Sequence, residues 1–411
     1  MAKRSAAPPG PVQLALDPSL EELSDADISQ LKAEVIEQVG ALKLPSWADG
    51  TDAASMSKDA IRAMHAVQRK DVLERELSAL RDRLPAILSN FAEGPDVRPD
   101  QISPELIPVK SEGPTSDLFR FATLLWSVPV SKGYGRRMRF LVHDQSNGKL
   151  IGVFGLADPV FNLRARDQWI GWDVERRRAA LVHVMDAYVV GAVPPYSSLL
   201  GGKLVASLIG SSEVGEAFAR RYSETPGQIS KERKAARLTA VTVTSALGRS
   251  SLYNRLRLFS AAGPDGGKRL LVELIHLGST RGYGHFHLSE PLFRDLRRLV
   301  KGKGHDYADA YKFGDGPNWR IRLARVGLGM LGLDPDFLRH GITREVYVMP
   351  LATNCREFLS GEEQDAHLDR PSIGEISSAA LDRWVLPRAA ANPSFTAFER
   401  TQILDLLQPG Q

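Results

Sequence analysis

The 411-residue sequence contains a single cysteine, Cys355. One thiol can form neither an internal disulfide nor a cysteine-rich zinc site, so the sequence predicts a protein of the reducing cytoplasm. Long apolar runs are also missing, because residues 184–202 are interrupted by Asp186 and by Pro194 and Pro195. A membrane-spanning helix needs about 20 apolar residues, so we expect no membrane partner.

The N-terminal residues lack the apolar segment of a secretory signal, and their Pro, Ala and Gly content predicts a disordered tail over residues 1–20. A chain of this length is expected to fold as more than one module. The patterns predict a helical N-terminal region over residues 21–100 and a mixed α/β core over residues 101–355. A mostly helical C-terminal extension is expected over residues 356–411.

The net charge is small, at +4, but the basic residues are unevenly distributed. They cluster in residues 132–139, 176–178, 231–237 and 294–303. Such clusters attract polyanions, although a basic run on a helix is more often simply a solvated face. DNA or RNA is therefore a candidate partner on charge grounds alone.

Residues 57–91 have the spacing of an amphipathic helix, with leucines recurring every three or four positions. Ser57 is the expected N-cap, and Pro85 should kink or end the helix because proline lacks an amide hydrogen. We expect this segment to dock on the core of the chain. The alternative is a surface that recruits a partner protein.

The pattern changes to strands in the middle of the chain. Residues 137–143 and 149–157 flank a Gln-Ser-Asn-Gly turn and predict a β-hairpin. Further strands are predicted at residues 184–193, 238–245 and 269–277, and helices at residues 175–183, 201–222, 289–301 and 319–330. The alternation predicts an α/β (α+β) fold in which helices flank a mixed sheet.

A first candidate loop lies between a predicted strand and a predicted helix. Its glycines, Gly201 and Gly202, allow backbone N–H groups to approach an anion at a helix N-terminus, and Lys203 adds positive charge. The pattern is not a Walker A loop, because Leu204 follows the lysine. The alternative is a tight turn whose glycines permit close packing.

A second candidate loop follows the strand predicted at residues 238–245. Arginine forks and hydroxyl donors match phosphate oxygens, and tyrosine offers a stacking face. The loop is rich in these groups: Thr244, Ser245, Arg249, Ser250, Ser251, Tyr253, Asn254 and Arg255. The alternative is a strand end that enters a helix through Ser250 as N-cap.

A third candidate loop carries Arg281, His285 and His287, with His276 just upstream. Histidine can act as a general base, donate to phosphate or bind zinc. No cysteine completes a ligand set nearby, so we expect no metal.

Tryptophans beside arginines form two smaller features, in residues 166–173 and 314–322. Asn318, Trp319 and Arg320 of the second can stack a base or hold a phosphate. Large aromatic side chains more often anchor a loop on the core, and we favour that interpretation for both features.

The chain resembles the Druantia anti-phage protein A family in an ordered set of segments. They are PVFNLRARDQWIGWD, VPPYSSLLGGKLVASL, VTVTSALGRSSLYNRL, GSTRGYGHFHL, YKFGDGPNWRIRLARVGLG and GITREVYVMPLA. The resemblance implies a component of a bacterial antiviral system that is encoded beside other defence proteins, including a large helicase. It assigns no catalytic residue.

The predicted hairpin, strand, turn and helix also look like the acetyl-coenzyme A-binding core of the GNAT acyltransferases. The preferred interpretation is a defence component that binds nucleic acid or a phosphate-bearing ligand through the polar loops of a GNAT-like core, with no cofactor. One alternative is an acyl-coenzyme A-dependent N-acyltransferase that uses acetyl-CoA. The other is a non-catalytic assembly subunit. Nuclease chemistry is disfavoured, since no acidic metal-binding pattern is present.

Overall fold

The computed structural model describes residues 23–40, 57–223, 235–261, 266–283, 288–308, 317–334 and 338–408. The tail expected at residues 1–20 lies outside them. The chain divides into two compact units. The helical unit comprises Met1–Ala41 and Leu288–Leu338, and the sheet unit comprises Leu42–His287 and Arg339–Gln411.

The sheet unit is built on a seven-stranded sheet in the order β1-β2-β3-β4-β5-β9-β8, beside a two-stranded sheet of β6 and β7. The strands are β1 Pro104–Pro108, β2 Arg137–Asp144, β3 Lys149–Ala157, β4 Val184–Ala192, β5 Ala240–Thr244, β6 Arg257–Phe259, β7 Leu270–Glu273, β8 Ile275–Tyr283 and β9 Arg339–Pro350. Neighbours are antiparallel except β4 and β5, which are parallel. The predicted mixed sheet and the predicted hairpin of β2 and β3 are confirmed.

The helices, numbered along the chain, are α1 Asp25–Gly40, α2 Lys58–Leu80, α3 Leu84–Leu88, α4 Pro114–Leu124, α5 Arg164–Ile170, α6 Val174–Ala180, α7 Gly201–Leu208, α8 Ser212–Tyr222, α9 Glu290–Gly302, α10 Pro317–Met330, α11 Cys355–Ser360, α12 Ile373–Ala380, α13 Leu386–Ala391 and α14 Gln402–Asp405. None of the described helices is both long enough and apolar enough to cross a bilayer.

The two faces of the large sheet are covered by different helices because side chains alternate along each strand. Met185 and Val241 lie in one apolar cluster with residues of α7, α8 and α12. Their neighbours Val184 and Ala240 lie in another, with residues of α5, α6 and α11. A fully buried side chain of the size of valine contributes about 1.5–3 kcal/mol, so this alternation fixes the strand register.

Helix α2 docks on the core of its own unit, as expected. Ser57 caps it by accepting the N–H of Ala60 at 3.1 Å, and Leu73 and Leu80 are buried in a cluster with α4. The helix ends before Pro85, which lies in the first turn of α3, where a missing amide hydrogen costs nothing. Recruitment of a partner protein through the exposed face of α2 stays a prediction.

Two predicted elements are wrong in extent. The helix predicted over residues 201–222 is two helices, because Ser211 leaves the helical conformation and caps α8 by accepting the N–H of Val214. The strand predicted over residues 269–277 is also divided. Leu274 separates β7 from β8. Its N–H donates to the Leu256 carbonyl at 2.9 Å, beside the pairing of β6 with β7, whereas β8 pairs with β9 from Ile275 onward, so β7 and β8 belong to different sheets.

Strands β4 and β5 diverge after a short pairing, and this opening positions the candidate site. They pair only at Val184–Asp186 with Ala240–Thr242. Beyond this point β4 continues to Ala192 along β3, and β5 continues along β9. Ligands of open α/β sheets gather at the carboxyl ends of parallel strands, which is where this gap opens.

Helices α1, α9 and α10 form the described part of the helical unit. Each buries an apolar stripe, and the buried side chains include Val35 of α1, Leu296 and Val300 of α9, and Leu323 and Leu328 of α10. Gly327 lets α9 and α10 approach closely, because a Cβ there would lie 3.0 Å from the Leu296 side chain.

Candidate functional site

The residues from Ser245 to Arg255, called here the 245–255 loop, leave the end of β5 beside the gap and return to β6. Ser245 is buried and donates its N–H to the Glu345 carbonyl of β9 at 2.8 Å. The Oγ of Ser250 accepts the N–H of Leu252 at 3.2 Å. Residues 251–255 form turns, so a helix entered through Ser250 is not observed.

Lys203 holds the C-terminal part of the 245–255 loop in place. Its Nζ donates to the carbonyls of Leu252 at 3.4 Å and Asn254 at 3.2 Å, and it lies 5.5 Å from the ring centroid of Trp384. Burial lowers the pKa of the Lys203 ammonium group. The lysine is therefore a brace for the 245–255 loop, with its donors directed at backbone carbonyls.

Packing requires a glycine at position 201 and favours one at position 202. A Cβ on Gly201 would lie 2.6 Å from the Tyr196 carbonyl oxygen, and one on Gly202 would lie 3.0 Å from the Leu252 side chain. These contacts favour the interpretation of the glycine loop as a tight turn. The role of these residues in anion binding stays a prediction.

The exposed side of the 245–255 loop is basic. Arg249, Ser251 and Arg255 are exposed, and neither arginine forms an ion pair with a residue that the structure describes. Arg255 has a φ of 57°, in the left-handed region that a non-glycine residue rarely adopts. Strained backbone of this kind is concentrated at functional sites.

Aromatic rings lie beneath the loop. The Tyr253 ring, which is half-buried, has its centroid 5.6 Å from that of Tyr347, and the centroid of the His276 ring lies 5.2 Å from that of Tyr347. His276 Nε2 is hydrogen-bonded to the Glu345 carboxylate. Burial raises the pKa of Tyr347, and the positive charge of Arg249 opposes that rise, so Arg249 lies near this row of rings.

A half-buried carboxyl group, that of Asp186, lies at the point where β4 and β5 separate. Asp186 Oδ1 accepts a hydrogen bond from Thr242 Oγ1 at 2.7 Å. Burial raises the pKa of Asp186 to about 6, although the Thr242 hydrogen bond and the Arg166 charge act in the opposite direction. Burial and the Asp186 charge raise the pKa of the Tyr253 hydroxyl. A carboxyl group with this pKa can accept a proton near neutral pH.

Trp172 and its arginine neighbour form a structural anchor, as favoured. Arg166 is fully buried and donates to Asp167 Oδ1 at 2.7 and 2.9 Å and to the carbonyls of Val160 and Phe161 at 2.8 Å. The Trp172 indole N–H donates to the same carboxylate at 3.0 Å. All these donors are satisfied within the chain.

The later tryptophan feature belongs to the helical unit and is also an anchor. Trp319 is buried and its indole N–H donates to the Tyr307 carbonyl at 2.7 Å. Arg320 is paired with Glu290 at 3.0 Å and lies 3.8 Å from the Phe293 ring centroid. Base stacking by Trp319 is therefore disfavoured.

Several predicted site residues cannot be placed beside the loop. His285 and His287 lie outside the described residues. Arg281 lies in β8, where it pairs with Thr343 of β9, and Asn318 lies in α10. The structure describes the backbone of these two residues but not their side chains. Among the described residues, no group of three or more His, Cys, Asp or Glu side chains is arranged to hold a metal ion.

The structure therefore brings together Lys203, Thr244, Ser245, the 245–255 loop and His276, which the sequence singled out. It adds Asp186, Glu345 and Tyr347, which the sequence analysis missed. The available signal for Asp186 was a carboxylate inside an otherwise apolar strand. Glu345 and Tyr347 lie in β9, which was not predicted as a strand.

Comparison with known proteins identifies the family. The sequence model of the family described as "Druantia protein DruA" matches residues 55–361. A curated protein named Druantia protein DruA, from Escherichia coli (strain UMEA 4076-1), is 43% identical over 393 residues, which cover 95% of each chain. No solved structure matches the chain. The chain therefore belongs to the DruA family of Druantia proteins, components of a bacterial anti-phage defence system.

Proposed function

We propose that this defence-system component binds nucleic acid through the 245–255 loop. One observation carries the proposal: Arg249 and Arg255 expose guanidinium groups, without a carboxylate partner among the described residues, on a loop that is braced from within the fold. Guanidinium groups bind phosphate oxygens with paired hydrogen bonds, and fixing the loop beforehand lowers the entropy lost on binding.

An extended phosphodiester suits this surface better than a small phosphate ligand. Small ligands bind in concave sites that bury most of their surface. The loop instead presents Arg249, Arg255 and the hydroxyl of Ser251 to solvent.

The test is a binding titration with labelled single-stranded DNA, duplex DNA and RNA over a salt series. The Arg249→Ala/Arg255→Ala variant should bind at least about 10-fold more weakly, and its dependence of log K on log salt should flatten by about 1.8, since each phosphate contact contributes about 0.9 on duplex DNA. The matched control is Arg98→Ala/Arg164→Ala, which removes two exposed charges elsewhere in the sheet unit. An unchanged slope in the loop variant, or an equal loss in the control, contradicts the proposal.

A second candidate function rests on Asp186 and Tyr253. In an N-acyltransferase an amine attacks a thioester carbonyl, so a C–N bond forms and a C–S bond breaks. The Asp186 carboxylate would accept the proton that the amine loses, and the Tyr253 hydroxyl, which stays protonated because burial raises its pKa, would supply one to the departing thiolate. Binding of Lys203 to backbone carbonyls weighs against its contacting the phosphates of acetyl-CoA.

Acetyl-CoA itself tests this second candidate. Binding at about 100 times the dissociation constant should stabilise the protein by about 2.7 kcal/mol, visible as a higher melting temperature. Asp186→Asn should retain that shift and lose transfer to amines. Absence of any shift with acetyl-CoA at high concentration would exclude the acyltransferase.

A further inference from the structure

Charge is segregated between the helices of the helical unit. Helix α1 carries four acidic residues and one lysine. Helix α9 carries four basic and two acidic residues, and α10 carries three basic residues and no acidic one. Helices α9 and α10 together therefore carry five more positive than negative charges, whereas α1 carries three more negative than positive charges.

The two carboxylates of α9 are already occupied. Glu290 pairs with Arg320 at 3.0 Å, and Asp295 pairs with Arg298 at 3.5 Å. Three exposed cations of these helices have neither an ion-pair partner nor a side-chain hydrogen bond within the described part of the chain: Arg294 and Lys301 of α9 and Arg322 of α10.

The cations of α9 lie along one side of the helix. Arg294, Arg297 and Lys301 are three and four positions apart and are all exposed, whereas Leu292, Leu296 and Leu299 are buried on the opposite side. Seven residues of α-helix rise about 10 Å, and successive phosphates of one strand of duplex DNA are about 3.4 Å apart along its axis. The row therefore matches the length of about three phosphates.

Aromatic side chains hold two of the neighbouring guanidinium groups in place. Arg297 lies 5.5 Å from the centroid of the Trp319 ring and donates to the Ala308 carbonyl at 3.2 Å, and Arg320 is held against Phe293. These contacts hold Arg297 and Arg320, which border the basic surface, against buried aromatic side chains of the same two helices.

The surface has the chemistry of a nucleic-acid contact and lacks that of a membrane contact. A helix that lies on a bilayer inserts exposed apolar or aromatic side chains. The large apolar side chains exposed in the described residues include none from α9 or α10, and Leu292, Phe293, Leu296, Leu299 and Val300 of α9 are all buried. Positive charge without apolar anchors is typical of binding to a phosphate backbone.

We propose that α9 and α10 form a second nucleic-acid-binding surface, which contacts the phosphate backbone of duplex DNA through Arg294, Lys301 and Arg322. This surface belongs to the helical unit and does not depend on the 245–255 loop. Because phosphates carry no base identity, binding through it is independent of sequence.

The full-length protein is titrated with a labelled duplex of about 20 base pairs between roughly 50 and 200 mM salt. The Arg294→Gln/Lys301→Gln/Arg322→Gln variant should bind at least 10-fold more weakly than the wild type, and its salt slope should flatten by up to about 2.7, or about 0.9 for each of three phosphate contacts. Glutamine keeps a good helix propensity, and an unchanged melting temperature verifies folding.

Two controls define the outcome. Arg98→Gln/Lys110→Gln/Arg164→Gln removes the same charge from exposed positions of the sheet unit and should keep the wild-type slope. Arg294→Lys/Arg322→Lys keeps the charge and should also keep it. A triple glutamine variant with the wild-type slope would overturn the inference. So would a triple glutamine variant that binds DNA like the wild type but no longer binds vesicles containing roughly 30% phosphatidylserine, which would indicate a membrane contact.

The loop variant Arg249→Ala/Arg255→Ala, measured in parallel, separates this inference from the proposed function. If only the helix variant loses salt-dependent binding, the surface on α9 and α10 stands and the loop proposal fails. If only the loop variant loses it, the inference about α9 and α10 is overturned.

Discussion

Replacing Asp186 by asparagine should stabilise the protein at neutral pH. Burial raises the pKa of this carboxyl group from its ordinary 3.8 to about 6. The ionised form is therefore less favourable in the folded protein than in the unfolded chain, by up to about 3 kcal/mol at 1.36 kcal/mol for each pH unit. Asparagine removes the charge and retains an oxygen that can accept the hydrogen bond from Thr242 Oγ1.

The sign of the pH dependence follows from the raised pKa. Between pH 3.8 and about 6 the folded protein holds the Asp186 proton more tightly than the unfolded chain does. The stability that this proton provides is complete below pH 3.8 and is lost as the pH rises through about 6. The advantage of Asp186→Asn should therefore be largest at pH 7 and above and should largely disappear near pH 4.

Urea unfolding of both proteins, followed by circular dichroism at about pH 7.5 and about pH 4.5, measures the difference. Comparing the variant with the wild type at each pH cancels the titration of every other group. Thr242→Val is the control, because loss of the hydrogen bond to Asp186 should lower stability at pH 7.5. An Asp186→Asn protein that is no more stable than the wild type at pH 7.5 would refute the conclusion that desolvation of the Asp186 carboxylate costs stability. An equal gain in the free energy of unfolding at both pH values would refute it too.

Two further substitutions test the supports of the site. Lys203→Met keeps the packing on Trp384 and removes the donors to the Leu252 and Asn254 carbonyls. It should lower the free energy of unfolding by about 1–3 kcal/mol and speed amide hydrogen exchange within the 245–255 loop. Unchanged exchange would show that Lys203 does not hold this loop in place. Arg166→Met removes the donors to the Val160 and Phe161 carbonyls, while Asp167 stays paired with Arg177 at 2.7 Å, so it should lower the free energy of unfolding by about 1–3 kcal/mol; an unchanged free energy of unfolding would contradict the buried network.

Features fixed by neighbouring residues could be predicted from the sequence. The hairpin of β2 and β3 follows from a short turn between alternating segments, and the start of α2 follows from the Ser57 cap. The polar groups of the 245–255 loop were visible as a run of hydroxyl, amide and guanidinium side chains.

Features created by pairing of distant segments could not be predicted. Glu345 meets His276 only because β8 and β9 are neighbours in the sheet. Asp186 acquires its environment from the early separation of β4 and β5, which depends on the whole strand order. The turn formed by residues 251–255 reflects tertiary contacts with Lys203, which outweigh the helix-starting preference of Ser250.

The last pairing between β8 and β9 joins Tyr283 to Arg339, although most of the helical unit lies between these residues in the chain. The two crossing points are therefore fixed side by side by the sheet, as the ends of an ordinary hairpin turn would be. Doubling the length of a flexible closed segment costs only about 0.6 kcal/mol, so the free energy of pairing β8 with β9 depends little on the length of the segment that connects them. We therefore expect that lengthening or shortening the segment between Tyr283 and Arg339 leaves the strand order around the gap between β4 and β5 unchanged.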